Sequence, residues 1–218
     1  MIMRGLYAIV DLTSVLARGL DPLRFADALL GARPAALQLR AKEASDEVTL
    51  GLLKALAPKC RTAGVPLVAN DRPDLALRAE CDMLHVGQTD ATIAQVRALS
   101  SSLPIGISTH SEAQLRTAIA ASPRYVAFGP IFSTNTKADP DPEVGLVALE
   151  SISRVRGEIP LVAIGGITLE RARTVARFVD MVAVIGDLLP PSSDERAAYR
   201  WVTDRARSFQ DVFSEVSR

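Results

Sequence analysis

Two acidic residues each follow an apolar run of the kind that forms a short strand. Asp71 comes shortly after the run at residues 65–69, and Asp90 follows the run at residues 83–86. If these strands are parallel neighbours, both carboxylates emerge at the same end of one sheet. Such a pair suits Mg²⁺, which takes one or two protein carboxylates and keeps waters and substrate phosphates as its other ligands. The alternative is that each aspartate only caps the helix that follows it.

The strands that would position these residues belong to a repeating pattern. Short apolar runs are separated by segments with helical periodicity and capping residues. The apolar runs predict strands at residues 5–11, 35–39, 65–69, 83–86, 103–107, 125–128, 160–164 and 180–185. The helical segments begin near residues 21, 45, 73, 91, 111, 147, 168 and 194. Runs without polar alternation are typical of parallel strands that are buried on both faces.

Eight strand–helix units in 218 residues predict an α/β fold, a (β/α)8 TIM barrel with a parallel eight-stranded sheet. We expect one domain spanning residues 1–218, because no linker or low-complexity tract divides the chain. A doubly wound open sheet is the alternative.

Composition limits the partners of this chain. The 25 basic and 25 acidic residues leave no net charge, which argues against a nucleic acid or membrane partner. Cys60 and Cys81 lack zinc-site spacing and are expected to be small core residues, as in a reducing compartment. Neither a signal segment nor a run of about 18 apolar residues is present, so we expect a cytoplasmic protein.

Functional residues of a barrel follow the C-terminal ends of its strands. At those positions this chain has amides, hydroxyls, cations, carboxylates and glycines, a set that suits anionic ligands. They are Gln38, Arg40, Lys42, Asn70, Asp71, Gln88, Asp90, Ser108, Thr109, His110, Lys137, Gly165, Gly166 and Gly186. Arg40 and Lys42 share a face if their strand continues. The planar guanidinium of an arginine beside the compact charge of a lysine suits the binding of a diphosphate.

The turns after the last two predicted strands indicate a phosphate site. Gly165-Gly166 and Gly186 let a ligand approach the backbone closely, and barrels often bind phosphate with these two loops. The alternative is that the glycines only permit tight turns. The polar loop at residues 129–137 can wrap a phosphorylated ligand or act as a lid, and a solvated linker is its alternative.

With these segments in view, the chain resembles the thiamine phosphate synthase family. The resemblance spans almost the whole chain and rests on the motifs at residues 6–11, 38–42, 69–72, 85–90, 108–111, 129–137 and 163–167. It implies a (β/α)8 barrel transferase that condenses a pyrimidine with a thiazole in thiamine biosynthesis. The first substrate would be 4-amino-2-methyl-5-hydroxymethylpyrimidine diphosphate, and the second 4-methyl-5-(2-hydroxyethyl)thiazole phosphate. The products would be thiamine monophosphate and diphosphate.

The resemblance also implies residue roles. Mg²⁺ would be the cofactor, held by Asp71 and Asp90, and the catalytic cations would be Arg40, Lys42 and Lys137. The pyrimidine diphosphate would be held by Gln38, Leu39, Arg40, Ala41, Lys42, Asn70, Ser108 and Lys137. The thiazole phosphate would be held by Thr134, Asn135, Thr136, Gly166, Ile185 and Gly186.

One departure and two rival functions stay open from the sequence. Gly186 stands where family members commonly have serine, which puts the affinity for thiazole phosphate in doubt. The first rival is a thiazole tautomerase of the same fold, with His110 as its acid or base. The second is a phosphate-binding barrel without catalysis. The expected partners are two small phosphorylated substrates, and a homo-oligomer is one option for the assembly.

Overall fold

Eight parallel strands form a closed barrel in chain order, so the predicted (β/α)8 fold is confirmed. The structure is a computed structural model that describes residues 3–134, 141–191 and 195–216, without the side chains of residues 195 and 196. The strands are β1 Gly5–Asp11, β2 Ala36–Arg40, β3 Leu67–Asn70, β4 Met83–Val86, β5 Ile105–Thr109, β6 Tyr125–Phe128, β7 Leu161–Ile164 and β8 Met181–Val184. β8 pairs with β1 and closes the barrel, with Gly5 opposite Met181.

Helices follow the strands and form an outer layer. They are α1 Leu12–Ala17, α2 Pro22–Leu30, α3 Asp46–Ala63, α4 Pro73–Arg78, α5 Ile93–Leu99, α6 Glu112–Ala120, α7 Gly145–Val155, α8 Leu169–Val175 and α9 Glu195–Val216. A single turn of 3-10 helix, Gly186–Leu188, follows β8. The sequence did not predict α1, because six residues are too few to show helical periodicity.

Proline explains why three strands begin later than the apolar runs suggest. β3, β5 and β7 each start immediately after a proline, at Pro66, Pro104 and Pro160. Proline has no N–H to donate to a neighbouring strand and therefore sits at or before the first paired residue. In β5 the shift places Ser108 and Thr109 inside the strand, whereas the sequence placed both after it.

Apolar side chains form two separate layers of core. Residues on one face of each strand, such as Leu37 and Leu39, pack against the helices. Residues on the other face, including Tyr7, Val68 and Tyr125, fill the barrel interior. Side chains alternate between the two faces of a strand, so every second residue points into the barrel. These side chains either fill the barrel interior or line its open carboxyl end. The open carboxyl end is therefore lined by residues that the strands themselves hold in place.

No helix in the described part of the chain combines the length and the apolar character needed to span a bilayer.

Candidate active site

A cavity of about 630 Å³ lies at the carboxyl ends of the strands and contains most of the predicted site residues. Its lining includes Gln38, Arg40, Lys42, Asn70, Asp71, Asp90, Ser108, Thr134, Gly166, Ile185 and Gly186. Residues that are far apart in the sequence meet here because neighbouring parallel strands end at one edge of the barrel.

Two predicted residues do not contribute side chains to this cavity. Leu39 is 1% exposed and packs between the barrel and the helices, because it alternates with Gln38 along β2. Ala41 packs against the same apolar layer and is absent from the cavity wall. Asn135, Thr136 and Lys137 lie outside the described residues, so their predicted roles stay predictions.

The helix-cap alternative for the two aspartates is wrong. Helix α4 begins after Arg72, which makes no side-chain cap, and α5 is capped by Thr92 in a capping box with Gln95. Asp71 instead sits in a tight turn with a φ of 62°, where Asn70 O accepts from the Arg72 N–H at 2.8 Å. Left-handed backbone is uncommon for a residue other than glycine and often marks a functional position. It turns Asp71 out of the strand direction and toward the cavity.

The carboxylates of Asp71 and Asp90 form a close, negatively charged pair. The pKa of Asp71 is raised to about 6, first by burial and then by the neighbouring Asp90. Lys42 opposes this shift, because its Nζ lies 3.1 Å from Asp71 Oδ2. Asp90 Oδ2 also accepts a hydrogen bond from the Gly87 N–H at 2.7 Å, which holds that carboxylate in the turn after β4. Because Lys42 compensates the charge of only one carboxylate, the Asp71–Asp90 pair keeps negative charge that a bound cation can neutralise.

The donor set of this pair fits Mg²⁺ in kind and number. Carboxylate oxygens are hard ligands, and one or two of them are usual when substrate phosphates complete the shell. Among the described residues, no third His, Cys, Asp or Glu joins them in a cluster of metal-ligand type. A zinc site built from protein ligands alone needs more. The two carboxylates are therefore compatible with a cation that takes its other ligands from waters and substrate phosphates.

Arg40 is oriented by a buried carboxylate that the sequence did not single out. Asp11 is 2% exposed, forms an ion pair with Arg40, and accepts from both N–H and Oγ–H of Ser14 at 3.0 and 2.6 Å. Arg40 and Lys42 thus contact different carboxylates, and β2 ends at Arg40 rather than continuing to Lys42. An acid at the end of β1, next to an arginine at the end of β2, was the available signal.

Polar residues of the barrel interior lead into the same cavity. Gln38 Nε2 donates to Asn70 Oδ1 at 3.1 Å across β2 and β3. On the other side, the imidazole of His85 joins Ser108 to Tyr125 through hydrogen bonds at both ring nitrogens. The sequence treated His85 as a motif residue and Tyr125 as part of an apolar strand. Their hydroxyl and imidazole contacts arise only when β4, β5 and β6 are adjacent.

Glycine backbones form the opposite wall of the cavity. A Cβ on Gly165 would lie 2.3 Å from Pro130 Cβ, and one on Gly166 would lie 2.5 Å from Ser133 O. Both glycines also have positive φ, so the close approach of two loops requires them. Within the described residues, the N–H groups of Gly166 and Gly186 make no backbone hydrogen bond. The Gly165-Gly166 turn can therefore both pack against the loop after β6 and bind an anion.

Arg171 adds a cation that the sequence did not predict. It lies in the first turn of α8 and lines the cavity, with its guanidinium stacked 4.4 Å from the centre of the Phe132 ring. Its Nη1 donates to Gly166 O at 2.7 Å. These two contacts hold a positive group beside the glycine turns. A signal was present, since an arginine three residues into the helix after a Gly-Gly turn faces the ligand side.

His110 lines the cavity and is held by contacts to the loop after β6 and to the start of α6. Its Nδ1 lies 2.5 Å from Gly129 O, and since a carbonyl only accepts, Nδ1 carries the proton. Its Nε2 lies 3.6 Å from Asp141 Oδ2. Its backbone N–H donates to Gln114 Oε1 at 2.7 Å, in the helix start that Ser111 caps. His110 is therefore placed to orient the loop after β6.

Fold and site together define a (β/α)8 barrel enzyme whose cavity lies at the carboxyl ends of the strands and is lined by cations, carboxylates and glycine turns. A family model described as thiamine monophosphate synthase matches residues 6–188. The chain belongs to the thiamine monophosphate synthase family, and it is an enzyme of the transferase class.

Individual relatives agree with this assignment. A thiamine-phosphate synthase of Koribacter versatilis is 40% identical over 195 residues, which cover 84% of this chain and 88% of the relative. One from Bacillus velezensis is 33% identical over 194 residues, covering 86% of this chain and 85% of the relative. Among solved structures, a thiamine phosphate pyrophosphorylase from Pyrococcus furiosus has a TM-score of 0.82 and 25% identity, covering 99% of this chain and 98% of that chain.

Proposed function

We propose that this enzyme joins a hydroxymethylpyrimidine diphosphate to a thiazole phosphate and releases thiamine monophosphate and diphosphate. The observation that carries the proposal is one cavity with two differently built walls. The Asp71–Asp90 pair with Lys42 and Arg40 suits a diphosphate, whereas the Gly166 and Gly186 turns suit a single phosphate. Family membership gives the reaction class, and this division of charge supports the proposed placement of the two substrates.

The pyrimidine side of the cavity offers matched polar groups. Because Gln38 donates to Asn70, the Gln38 carbonyl oxygen is left as an acceptor and the Asn70 amide as a donor. An aminopyrimidine presents complementary donors and acceptors along its edge. Beyond it, Arg40, Lys42 and Ser108 face the position of the diphosphate, with Lys137 as the further cation that the resemblance implies.

Asp71 and Asp90 would hold Mg²⁺ beside this diphosphate. When bound, the ion supplies positive charge where negative charge develops on the leaving group. Arg40 and Lys42 add charge-assisted hydrogen bonds to the same oxygens. The Asp11 ion pair keeps Arg40 aimed at them, so little reorganisation is needed during the reaction.

The reaction needs neither an enzyme base nor a nucleophile. The bond between the pyrimidine methylene and the diphosphate oxygen breaks, and its electron pair leaves with the diphosphate. The amino group of the pyrimidine stabilises the positive methylene in this dissociative path. The thiazole nitrogen then forms the new carbon–nitrogen bond with its lone pair, and no proton is transferred. The main task of the enzyme is to hold the two rings in line.

The two-precursor assay tests this function directly. Purified enzyme with both precursors and Mg²⁺ should release thiamine monophosphate and one equivalent of diphosphate, and EDTA should abolish turnover until Mg²⁺ is restored. Saturating precursors without product would refute the synthase. Isomerisation of a thiazole phosphate carboxylate by the same sample, without metal, would support the tautomerase instead.

Arg171→Gln should weaken the thiazole phosphate site selectively. Loss of a charge-assisted contact at the glycine turns should raise the KM for thiazole phosphate by about tenfold and leave that for the pyrimidine diphosphate nearly unchanged. Steady-state kinetics with each substrate varied in turn gives both values. Arg173→Gln is the matched control, because Arg173 pairs with Glu215 on the outer surface. Equal increases in both KM values would show that Arg171 does not belong to this subsite.

Gly186→Ser should improve the same site. A Cβ at residue 186 would meet no atom within 4 Å, and its φ is not positive, so the serine fits without strain. The added hydroxyl can donate to a phosphate oxygen, and we expect the KM for thiazole phosphate to fall about threefold, the effect of one modest hydrogen bond. A large rise in that KM would place the phosphate elsewhere.

A further inference from the structure

A continuous chain of hydrogen bonds runs through the barrel interior and ends at the cavity. The hydroxyls of Tyr7 and Tyr125 lie 2.7 Å apart. The Tyr125 hydroxyl lies 2.9 Å from His85 Nδ1, and His85 Nε2 lies 2.9 Å from Ser108 Oγ. The chain therefore connects β1, β6, β4 and β5 in that order. Ser108 and His85 line the cavity, whereas the tyrosines are part of the buried barrel filling.

Close packing around this chain of hydrogen bonds restricts which residues the neighbouring strands can carry. A Cβ on Gly106 would lie 2.0 Å from Tyr125 Cζ, so β5 needs glycine opposite this ring. The His85 ring stacks on Tyr125 with an interplanar angle of 13°. Tyr7 is 2% exposed and Tyr125 is fully buried. Burial raises the pKa of both phenols well above the ordinary value, so both carry their protons.

Counting protons gives the chain a direction. Among the described residues, Tyr125 is the only hydrogen bond partner of the Tyr7 hydroxyl. If Tyr125 donated to Tyr7, the Tyr7 proton would be buried without an acceptor, which is unfavourable. If Tyr7 donates to Tyr125, then Tyr125 donates its own proton onward to His85 Nδ1, and every donor is satisfied. A neutral His85 with an accepting Nδ1 carries its proton on Nε2 and donates to Ser108 Oγ.

We infer that the Tyr125 hydroxyl donates to His85 Nδ1, fixes the Nε2–H tautomer of His85 and thereby turns the Ser108 hydroxyl proton into the cavity. Since Ser108 Oγ accepts from His85, its own proton points away from the imidazole and is free to donate to a ligand. His85 is thus a positioning residue that acts through Ser108. The identity of that ligand rests on the proposed function, in which Ser108 donates to the pyrimidine diphosphate. The tautomer of His85 does not depend on the proposed function.

Histidine nitrogen NMR tests the direction without any substrate. The chain has two histidines, so a His110→Gln variant leaves a single signal set to assign. In ¹⁵N-histidine-labelled enzyme at pH 8, we expect His85 Nε2 at the chemical shift of a protonated nitrogen and Nδ1 at that of an unprotonated one. The reverse pattern, or two protonated nitrogens, overturns the inference. This result stands or falls independently of the two-precursor assay.

Two conservative variants provide a matched comparison. Tyr125→Phe removes the hydroxyl that His85 contacts. The chemical shifts of His85 Nδ1 and Nε2 should then move toward the average values of a mixture of the two tautomers. Tyr7→Phe removes the hydroxyl one step further away, and the Nε2–H tautomer should persist, because Tyr125 still donates to Nδ1. An Nδ1–H tautomer in the wild type that changes to Nε2–H in Tyr7→Phe would mean that the chain runs in the opposite direction, and the inference would be wrong. If Tyr125→Phe does not fold, the wild-type spectrum and Tyr7→Phe still decide.

Kinetics shows whether His85 acts through Ser108. Tyr125→Phe should raise the KM for pyrimidine diphosphate about fivefold, the effect of one misdirected hydrogen bond, with a smaller change in kcat. In a Ser108→Ala background the same substitution should have no further effect, because the group that it positions is gone. Full additivity of the two substitutions would show that Tyr125 is merely structural and would reject the positioning role.

Discussion

Asp71→Asn should lower kcat/KM of the two-precursor reaction by about 10³-fold, the scale expected when charge stabilisation of a leaving group is lost. Asparagine tolerates the left-handed φ of 62° found at residue 71, so the variant removes the charge and keeps the turn. Asp90→Asn should have an effect of similar size. Raising the Mg²⁺ concentration should restore part of the activity of each variant, because one carboxylate remains.

Two comparisons make this prediction specific. Asp204→Asn is the control, since Asp204 is exposed, pairs with Arg207 on the surface of α9 and does not line the cavity. His110→Gln should cost much less than Asp71→Asn, because His110 orients a loop and moves no proton in the proposed reaction. If His110→Gln is the most damaging change and the aspartate variants remain active, the acid–base chemistry of a tautomerase becomes the better explanation.

Asp11→Ala should destabilise the fold and misplace Arg40 at the same time. Removing one partner of a buried ion pair leaves an uncompensated charge, and we expect the free energy of unfolding to fall by about 3 kcal/mol. Loss of the Asp11 cap on α1, which accepts from the Ser14 N–H, adds about 1 kcal/mol to this. Urea denaturation followed by circular dichroism measures the sum. The KM for pyrimidine diphosphate should also rise, because Arg40 loses its orientation.

A second substitution separates the two causes. Asparagine at residue 11 can still accept from the Ser14 N–H, so Asp11→Asn should preserve α1 and lose only the charge that pairs with Arg40. The exposed pair Lys59–Asp27 provides the control, and Asp27→Ala should cost less than about 1 kcal/mol. An Asp11→Ala variant as stable as Asp27→Ala would contradict the structural role given to Asp11.

Local sequence signals located most of the elements correctly. The Ser45 cap and the Gly64 terminus bound α3 as predicted, and the apolar runs gave β4 and β6 with their observed ends. These features depend on hydrogen bonds and side-chain periodicity within a few residues, which a single sequence displays. The short helix α1 lacks such periodicity. The starts of β3, β5 and β7 depend on the preceding prolines, which cannot donate a backbone hydrogen bond to the neighbouring strand.

Contacts between distant segments decided the rest of the site. The sequence placed Asp71 and Asp90 after strands, but it left open whether they cap helices, and it did not show that Asp71 adopts a left-handed turn. Asp11 and Arg171 were not singled out as site residues, because each acquires its role from a partner on another strand or loop, and the local signals beside them were weak without that partner. The phenol and imidazole chain from Tyr7 to Ser108 spans four strands and has no local signature.

The sequence by itself therefore determined the class of fold, the family and the edge of the barrel where the candidate site lies. Strand periodicity, strand count and the residues at strand ends are all properties of short segments, and these segments carry the family resemblance. Only the tertiary structure decided which charges are paired, which protons have acceptors and which backbone groups face a ligand. The physical reason is that charge compensation and hydrogen bonding depend on distances between side chains that closure of the barrel alone brings together.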